Sequence, residues 1–195
     1  VSGAGNQPLF TNSRVANHSW VGTTSNGSTN YDGAILRRLD WVIARDDFTT
    51  AVGLNNGTNS PLMSSAFNAI GVGKNDGGQA TGTVNVGISP NYDTVYTAGR
   101  AKPDIIATEP SSSGATAMVS SAAALLIQVG HNNAALSTDP VEQFTGNRNG
   151  DVIRNAERSE VIKAALMAGA KRSTTGLVAA PNITDYRVAP ANQTS

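Results

Sequence analysis

Three consecutive serines, Ser111, Ser112 and Ser113, stand directly before a run of small and aliphatic residues that predicts a helix from about Ala115 to Val129. A hydroxyl at the start of a helix faces unpaired backbone amides and the positive end of the helix dipole, which favour developing negative charge. A serine placed there could act as a nucleophile in acyl transfer. The structural alternative is that Ser112 or Ser113 only caps the helix, as serine before a helix commonly does.

A serine nucleophile also needs a base, because the hydroxyl is weakly nucleophilic until its proton is removed. The chain contains two histidines, His18 and His131. His18 lies inside a short strand pattern, so we expect it to have a structural or substrate-side role. His131 follows the predicted helix, where a basic side chain complements the negative end of the helix dipole. We therefore assign neither histidine the role of general base.

The elements that would position these residues alternate between strand and helix patterns. Short apolar or alternating stretches predict strands at 14–20, 48–54, 66–73 and 102–107. Apolar residues at three- and four-residue spacing predict further helices at 32–46 and 159–170. Strand, helix and strand in close succession indicate a parallel sheet with crossover helices, and thus an α/β fold. The length of 195 residues suits one domain, 1–195.

Composition excludes several kinds of partner. The 14 basic residues balance the 14 acidic ones and form no basic patch, so we expect no nucleic acid as a partner. No apolar run approaches the roughly 20 residues that cross a bilayer, so we expect no membrane either. The absence of cysteine rules out disulfides, a thiolate nucleophile and cysteine-ligated metals. Asp76, Asp93 and Asp104 are too scattered to predict a calcium site, and we expect no metal and no cofactor.

Four segments, in order, resemble the subtilase family of serine proteases. They are RVANHSW (14–20), AVGLNNG with SPLMSSAFNAIGVG (51–57 and 60–73), GRAKPDI (99–105) and SSSGATAMVSSAAALL (111–126). The resemblance covers roughly residues 14–170. It implies a subtilisin-like fold with a mainly parallel sheet and helices packed on both faces, incomplete at the N-terminal side.

The resemblance also implies catalytic residues. Ser113 falls at the family's catalytic serine, and Asn55 falls at the asparagine that donates a hydrogen bond to the oxyanion. The usual Gly-Thr-Ser-Met is Ser-Ser-Ser-Gly here, ending at Gly114. From the residues alone, Asn55 and the Asn-Gly pair after it could instead form only a turn.

Two segments match the family's facing strands, which bind an extended peptide substrate. The implied substrate-binding residues are Ser19, Trp20, Val21, Val52, Gly53 and Leu54. Leu54 replaces a glycine that the family commonly has beside the specificity pocket. Trp20 could alternatively be only a core residue.

In the family, the aspartate and histidine of the triad precede the substrate strand, and residues 1–13 contain neither. We therefore expect this chain to be part of a subtilase catalytic domain, inactive alone, whose partner is an N-terminal fragment carrying that aspartate and histidine. The implied function is a secreted serine endopeptidase that cleaves polypeptide substrates through an acyl-enzyme. The alternative is a non-catalytic, subtilase-like module that binds peptides or has a structural role. A carboxylesterase or other α/β hydrolase is disfavoured because no G-x-S-x-G motif occurs.

Overall fold

The computed structural model describes residues 6–20, 29–54, 63–74, 95–96, 102–137, 144–145 and 152–170. Its strands are β1 (Val15–His18), β2 (Thr49–Gly53), β3 (Ile70–Lys74), β4 (Ile105–Ala107), β5 (Phe144–Thr145) and β6 (Val152–Ile153). Its α-helices are α1 (Thr29–Asp46), α2 (Ser112–Asn132) and α3 (Ser159–Gly169). Short 3-10 turns lie at Met63–Ser65, Ala134–Leu136 and Asn155–Glu157.

The main sheet contains β1, β2, β3 and β4 in that order, and every pair is parallel. Helix α1 connects β1 to β2, and α2 follows β4 after a short loop. Strands β5 and β6 form a separate antiparallel pair. The sheet confirms the predicted α/β fold with a mainly parallel sheet, and it brings the carboxyl ends of all four strands to one edge.

Helices cover both faces of this sheet, because successive side chains of a strand point to opposite faces. On one face, Ala16 and Val52 pack against Leu36 and Ile43 of α1. The other face packs on α2 and α3 through residues that are mostly small or β-branched: Ala51, Ile70, Val72, Ala115, Val119 and Leu166. Val15 of β1 also packs on this second face. In β1, Val15 therefore faces α2 and α3, whereas Ala16 faces α1.

Within the described part of the chain, helix α2 packs on one side. Its many small residues favour close packing on most sides, but the structure shows such packing only where α2 faces the sheet and α3. Ala115 and Ala123 are fully buried in the stripe that faces the sheet, but Met118, Leu125 and Val129 are 50%, 63% and 54% exposed. The small residues let α2 approach the sheet closely, whereas its outer side still presents large apolar side chains.

The same helix also corrects the prediction about apolar runs. α2 has 21 residues and is by length and composition apolar enough to cross a bilayer, and it is alone in this among the described helices. In the structure α2 contacts all four strands of the main sheet. Length and composition alone do not distinguish the two settings, because a helix that packs on a sheet can be as apolar as one that crosses a bilayer.

Ion pairs hold the amino edge of the sheet around the buried carboxylate of Glu157, which is 1% exposed. Arg14 Nη1 lies 2.6 Å from Glu157 Oε1, and the Arg154 backbone N–H donates to Oε2 at 2.9 Å. His131 Nδ1, in the last turn of α2, lies 3.2 Å from both carboxylate oxygens. The partner of His131 is therefore a specific carboxylate as well as the helix dipole.

A second buried carboxylate, Asp47, lies at the same edge. It accepts a hydrogen bond from the Ser159 backbone N–H at 2.7 Å, and Arg158 Nε lies 3.4 Å from its other oxygen. Burial raises the pKa of Asp47, and the bond from Ser159 partly offsets that effect. Asp47 thus joins the end of α1 to the start of α3.

Candidate active site

The three serines before α2 have three different environments. Ser111 is the N-cap, since its backbone is extended and its side chain accepts a hydrogen bond from the Gly114 N–H at 3.1 Å. The expectation that Ser112 or Ser113 caps the helix is therefore wrong. Ser112 is 1% exposed and Ser113 is half-buried. Of the two serines within the first turn, Ser113 is the one whose side chain solvent reaches.

Ser113 is bound reciprocally to Ser19, at the end of β1. Its Oγ donates to the Ser19 carbonyl oxygen at 2.9 Å, and the Ser19 Oγ lies 3.0 Å from the Ser113 carbonyl oxygen. The Ser19 hydroxyl also lies 2.8 Å from the Asn17 Oδ1. The structure thus brings together two of the residues that the sequence assigned to a common site, although they are 94 positions apart.

Strand β2 reaches the same place through Gly53. A β-carbon at Gly53 would lie 3.0 Å from Thr116 Oγ1 and 3.5 Å from the Ser112 carbonyl oxygen. Thr116 Oγ1 in turn donates to that carbonyl at 2.6 Å. Glycine therefore allows the end of β2 to touch the first turn of α2, the turn that carries Ser113.

His18 does not face Ser113. Ala16 packs on the α1 face of the sheet, so His18, two residues on, points to that face, whereas Ser19 reaches toward α2. Burial lowers the pKa of His18. Its ring meets Trp20 edge-on at a centroid distance of 5.8 Å. The imidazole therefore belongs to the opposite side of the sheet from the Ser113 hydroxyl.

His131 lies at the far end of α2 from Ser113. The two residues are 18 positions apart on one helix, which corresponds to about 27 Å at 1.5 Å per residue. Because the chain has only these two histidines, it offers Ser113 no imidazole within hydrogen-bond reach.

The other expected substrate-binding residues differ in accessibility. Trp20 is 54% exposed, so the alternative that it is a core residue is wrong. The side chains of Val52 and Leu54 are buried, and the backbone of Val52 is paired with both β1 and β3. The resemblance implies that Val52 contacts the substrate directly, whereas in the structure its side chain and its backbone both contact other parts of the protein. Val21 and Asn55 lie outside the described residues.

Two site residues were not identified from the sequence. Thr116 supports the first turn of α2, and Glu109 lies against Gly114 directly after the candidate nucleophile. Neither contact has a local sequence signal, because each depends on how a loop or a strand end meets the helix. Within the described ranges, no group of three or more histidine, aspartate or glutamate side chains is arranged to hold a metal ion.

No family model, curated protein or solved structure matches this chain. The parallel α/β sheet and the position of the serine at its carboxyl edge are therefore known from the structure of this chain and not from any relative. Together they define a class, an α/β protein with a hydroxyl group placed at the carboxyl edge of its sheet, where such folds bind their ligands.

Proposed function

We propose that this chain is the nucleophile-bearing part of a subtilisin-like serine endopeptidase. The observation that supports this best is the position of Ser113, in the first turn of α2 and bonded to the end of β1. Helix N-termini favour developing negative charge, and open α/β sheets bind ligands at the carboxyl ends of their strands. The order of the four subtilase-like segments supports the same assignment.

In the proposed reaction, a base removes the proton from Ser113 Oγ while this oxygen attacks the carbonyl carbon of the scissile peptide bond. The side-chain amide of Asn55 would donate a hydrogen bond to the resulting oxyanion. The protonated base then gives its proton to the leaving amine, and an acyl-enzyme remains. Water activated by the same base attacks the acyl group and releases Ser113.

The base and the carboxylate that orients it would come from a partner, which we propose is an N-terminal fragment carrying an aspartate and a histidine. This requirement follows from the two histidines of the chain, since His18 faces the other side of the sheet and His131 is a helix length away. Without that partner the Ser113 hydroxyl donates to the Ser19 carbonyl, and the chain alone would be inactive. The resemblance would also place the protein outside the cytoplasm.

The substrate would be an extended polypeptide. Ser19, Trp20 and Val21 would contact its backbone, because the described sheet ends its pairing with β1 at His18. Gly53 and Leu54 would form the opposite side of the peptide-binding site, and the Leu54 side chain is buried beneath it.

A non-catalytic peptide-binding module is the second candidate function. It is favoured by the hydrogen bond that engages the Ser113 hydroxyl and by the distance of both histidines. The partner fragment discriminates between the two functions, because an intact aspartate and histidine there favour the enzyme and substituted residues favour the module.

The test is to replace Ser113 by alanine in the complete protein. We expect hydrolysis of a peptide substrate to fall by at least about three orders of magnitude, because the acyl-enzyme can no longer form. Labelling by a fluorophosphonate, followed by intact mass, should disappear as well. The matched control is Ser121→Ala, an exposed serine on the same helix whose hydroxyl donates to the Ala117 carbonyl.

Retained turnover in the Ser113→Ala protein would refute the proposed nucleophile. The unfolding midpoint must stay near that of the wild type, since the substitution removes one hydrogen bond worth about 1 kcal/mol. Peptide binding without hydrolysis in the wild-type protein would favour the non-catalytic module.

A further inference from the structure

We propose that Glu109 forms a subsite beside Ser113 that binds a positively charged side chain of the peptide ligand. This inference deepens the proposed function and rests on it, because the ligand is the polypeptide that this site would hold. Glu109 would thus be a specificity-determining residue, and it takes no part in the covalent chemistry.

Glu109 lies flat against the backbone of Gly114. A β-carbon at position 114 would stand 3.0 Å from Glu109 Oε2 and 3.4 Å from both Cβ and Cδ of the same side chain. The carboxylate therefore fills the space that a side chain at 114 would occupy, directly after Ser113 in the first turn of α2. Glycine at this position leaves room for the Glu109 carboxylate against the first turn of α2, next to the residue that bears the nucleophile.

The carboxylate of Glu109 makes no hydrogen bond or ion pair with the residues that the structure describes. The polar groups around it have other bonds: the Gly114 N–H donates to Ser111 Oγ at 3.1 Å, and Lys74 Nζ lies 3.4 Å from the carbonyl oxygen of Pro110. The side chain is half-buried. Glu109 thus retains its full capacity to accept hydrogen bonds from a ligand.

An ammonium or guanidinium group is the ligand that suits such a carboxylate. Hydrogen bonds between opposite charges are shorter and about twice as strong as neutral ones, and partial burial reduces screening by solvent. The positive end of α2 stabilises the carboxylate, but the dipole provides only about half an elementary charge. A substrate cation would therefore add to this stabilisation. Lysine or arginine near the residue bound at Ser113 is the expected preference.

The test measures binding, so it does not depend on catalysis. Short alanine-based peptides, each with one lysine at a different position and a fluorescent label, are compared with counterparts that carry norleucine instead. Fluorescence anisotropy with the full chain at neutral pH and low ionic strength gives the ratio of the two dissociation constants. We expect a ratio of about tenfold in favour of lysine at one position, as a charge-assisted hydrogen bond provides.

Two variants separate the charge of Glu109 from its placement. Glu109→Gln should reduce the ratio to within about twofold, because the amide is isosteric but uncharged. Gly114→Ala should also reduce it, since the added methyl group displaces the carboxylate while the charge is retained. Glu160→Gln is the matched control, an exposed glutamate on α3 that pairs with Arg158, and it should leave the ratio at the wild-type value.

A wild-type ratio near one, a ratio that survives Glu109→Gln, or no measurable binding of any peptide would overturn the subsite. The proposed catalysis fails by a different result. A lysine preference that follows Glu109, together with hydrolysis that survives Ser113→Ala, would retain the subsite and refute the nucleophile.

Discussion

At the amino edge of the sheet, the buried carboxylate of Glu157 is paired with Arg14 and His131 and accepts a backbone N–H. At the carboxyl edge, the carboxylate of Glu109 accepts no hydrogen bond from the described residues, and the hydroxyls of Ser113 and Ser19 are bound to each other's backbone. Both edges contain polar and charged groups, but among the described residues only the amino edge pairs its buried carboxylates with charged side chains.

This difference indicates that the two edges of the sheet have different roles. A buried carboxylate with several partners rigidifies the region around it, and the removal of any one partner leaves its charge less well compensated. Half-buried groups with spare hydrogen-bonding capacity contribute little to stability but can bind a ligand. The amino edge should therefore carry stability and the carboxyl edge should carry binding, as in other open α/β sheets.

The largest effect on stability is expected from Glu157→Gln. The substitution takes the carboxylate from the guanidinium of Arg14, which is 22% exposed and keeps its bonds to two backbone carbonyls, and the loss of a charged hydrogen-bond partner in this way costs about 3 kcal/mol in the free energy of unfolding. Denaturant titration measures it. Glu160→Gln, at an exposed ion pair with Arg158, should cost less than about 1 kcal/mol. Equal losses of unfolding free energy in the two variants would contradict the proposed role of the amino edge.

A smaller effect is expected when Gly130 or Gly53, two of the glycines that lie close to neighbouring atoms, is changed to alanine. At Gly130 a β-carbon would lie 2.9 Å from the backbone oxygen of Ala156, so backbone must move, at a cost of about 1–3 kcal/mol. At Gly53 the nearest atom is the hydroxyl of Thr116 at 3.0 Å, a side-chain atom that has to shift by only a few tenths of an ångström. We expect Gly53→Ala to slow phosphonate labelling of Ser113. We also expect it to lower the free energy of unfolding less than Gly130→Ala does.

The measurements for this pair are denaturant titration of the chain and labelling rates in the complete protein. Gly169→Ala is the control, because a β-carbon there would meet no atom within 4 Å. The comparison fails if Gly130→Ala impairs labelling at unchanged stability, or if Gly53→Ala is the more destabilising of the two.

The smallest effect concerns the pH dependence of stability through His18. Burial lowers the pKa of His18 below its ordinary value of 6.5, so the unfolded chain binds a proton at pH values where the folded chain does not. This contribution to stability is present above about pH 6.5 and is lost as the pH falls toward the folded pKa. His18→Gln should therefore reduce the loss of stability between about pH 7.5 and about pH 5.5, by less than about 1 kcal/mol.

Denaturant titrations at the two pH values measure this change, and a proton NMR titration of the His18 ring measures its pKa directly. A His18 pKa above 6.5 would contradict the burial of the ring on the α1 face. It would also reopen the question of whether this imidazole can approach the carboxyl edge.

The secondary structure could be predicted well where the apolar pattern is strong. The spacing of Leu36 and Ile43 identified α1, and the structure begins it at Thr29, three residues before the predicted start. The start of α2 was predicted less well, because any of three successive serines can cap a helix. The extended backbone of Ser111 makes this residue the N-cap. Residue type does not predict that conformation, since all three candidates are serines.

The candidate site could be predicted in part. The family-like order of segments placed Ser113 and Ser19 in one site, and the structure brings them into contact. The contact of Glu109 with Gly114 could not be predicted, since it depends on how the loop after β4 turns into α2. The exposure of Met118 and Leu125 could not be predicted either, because apolar side chains give the same pattern whether or not something covers them.

The sequence by itself determined the alternation of strands and helices, since that depends on local periodicity, and it determined which residue types are available for chemistry, including the presence of only two histidines. The tertiary structure alone decided which of those residues meet. It placed His18 on the α1 face and His131 at the far end of α2, and it set Glu109 beside Ser113. These outcomes depend on strand order and on the direction of each side chain, which long-range packing fixes and local sequence does not encode.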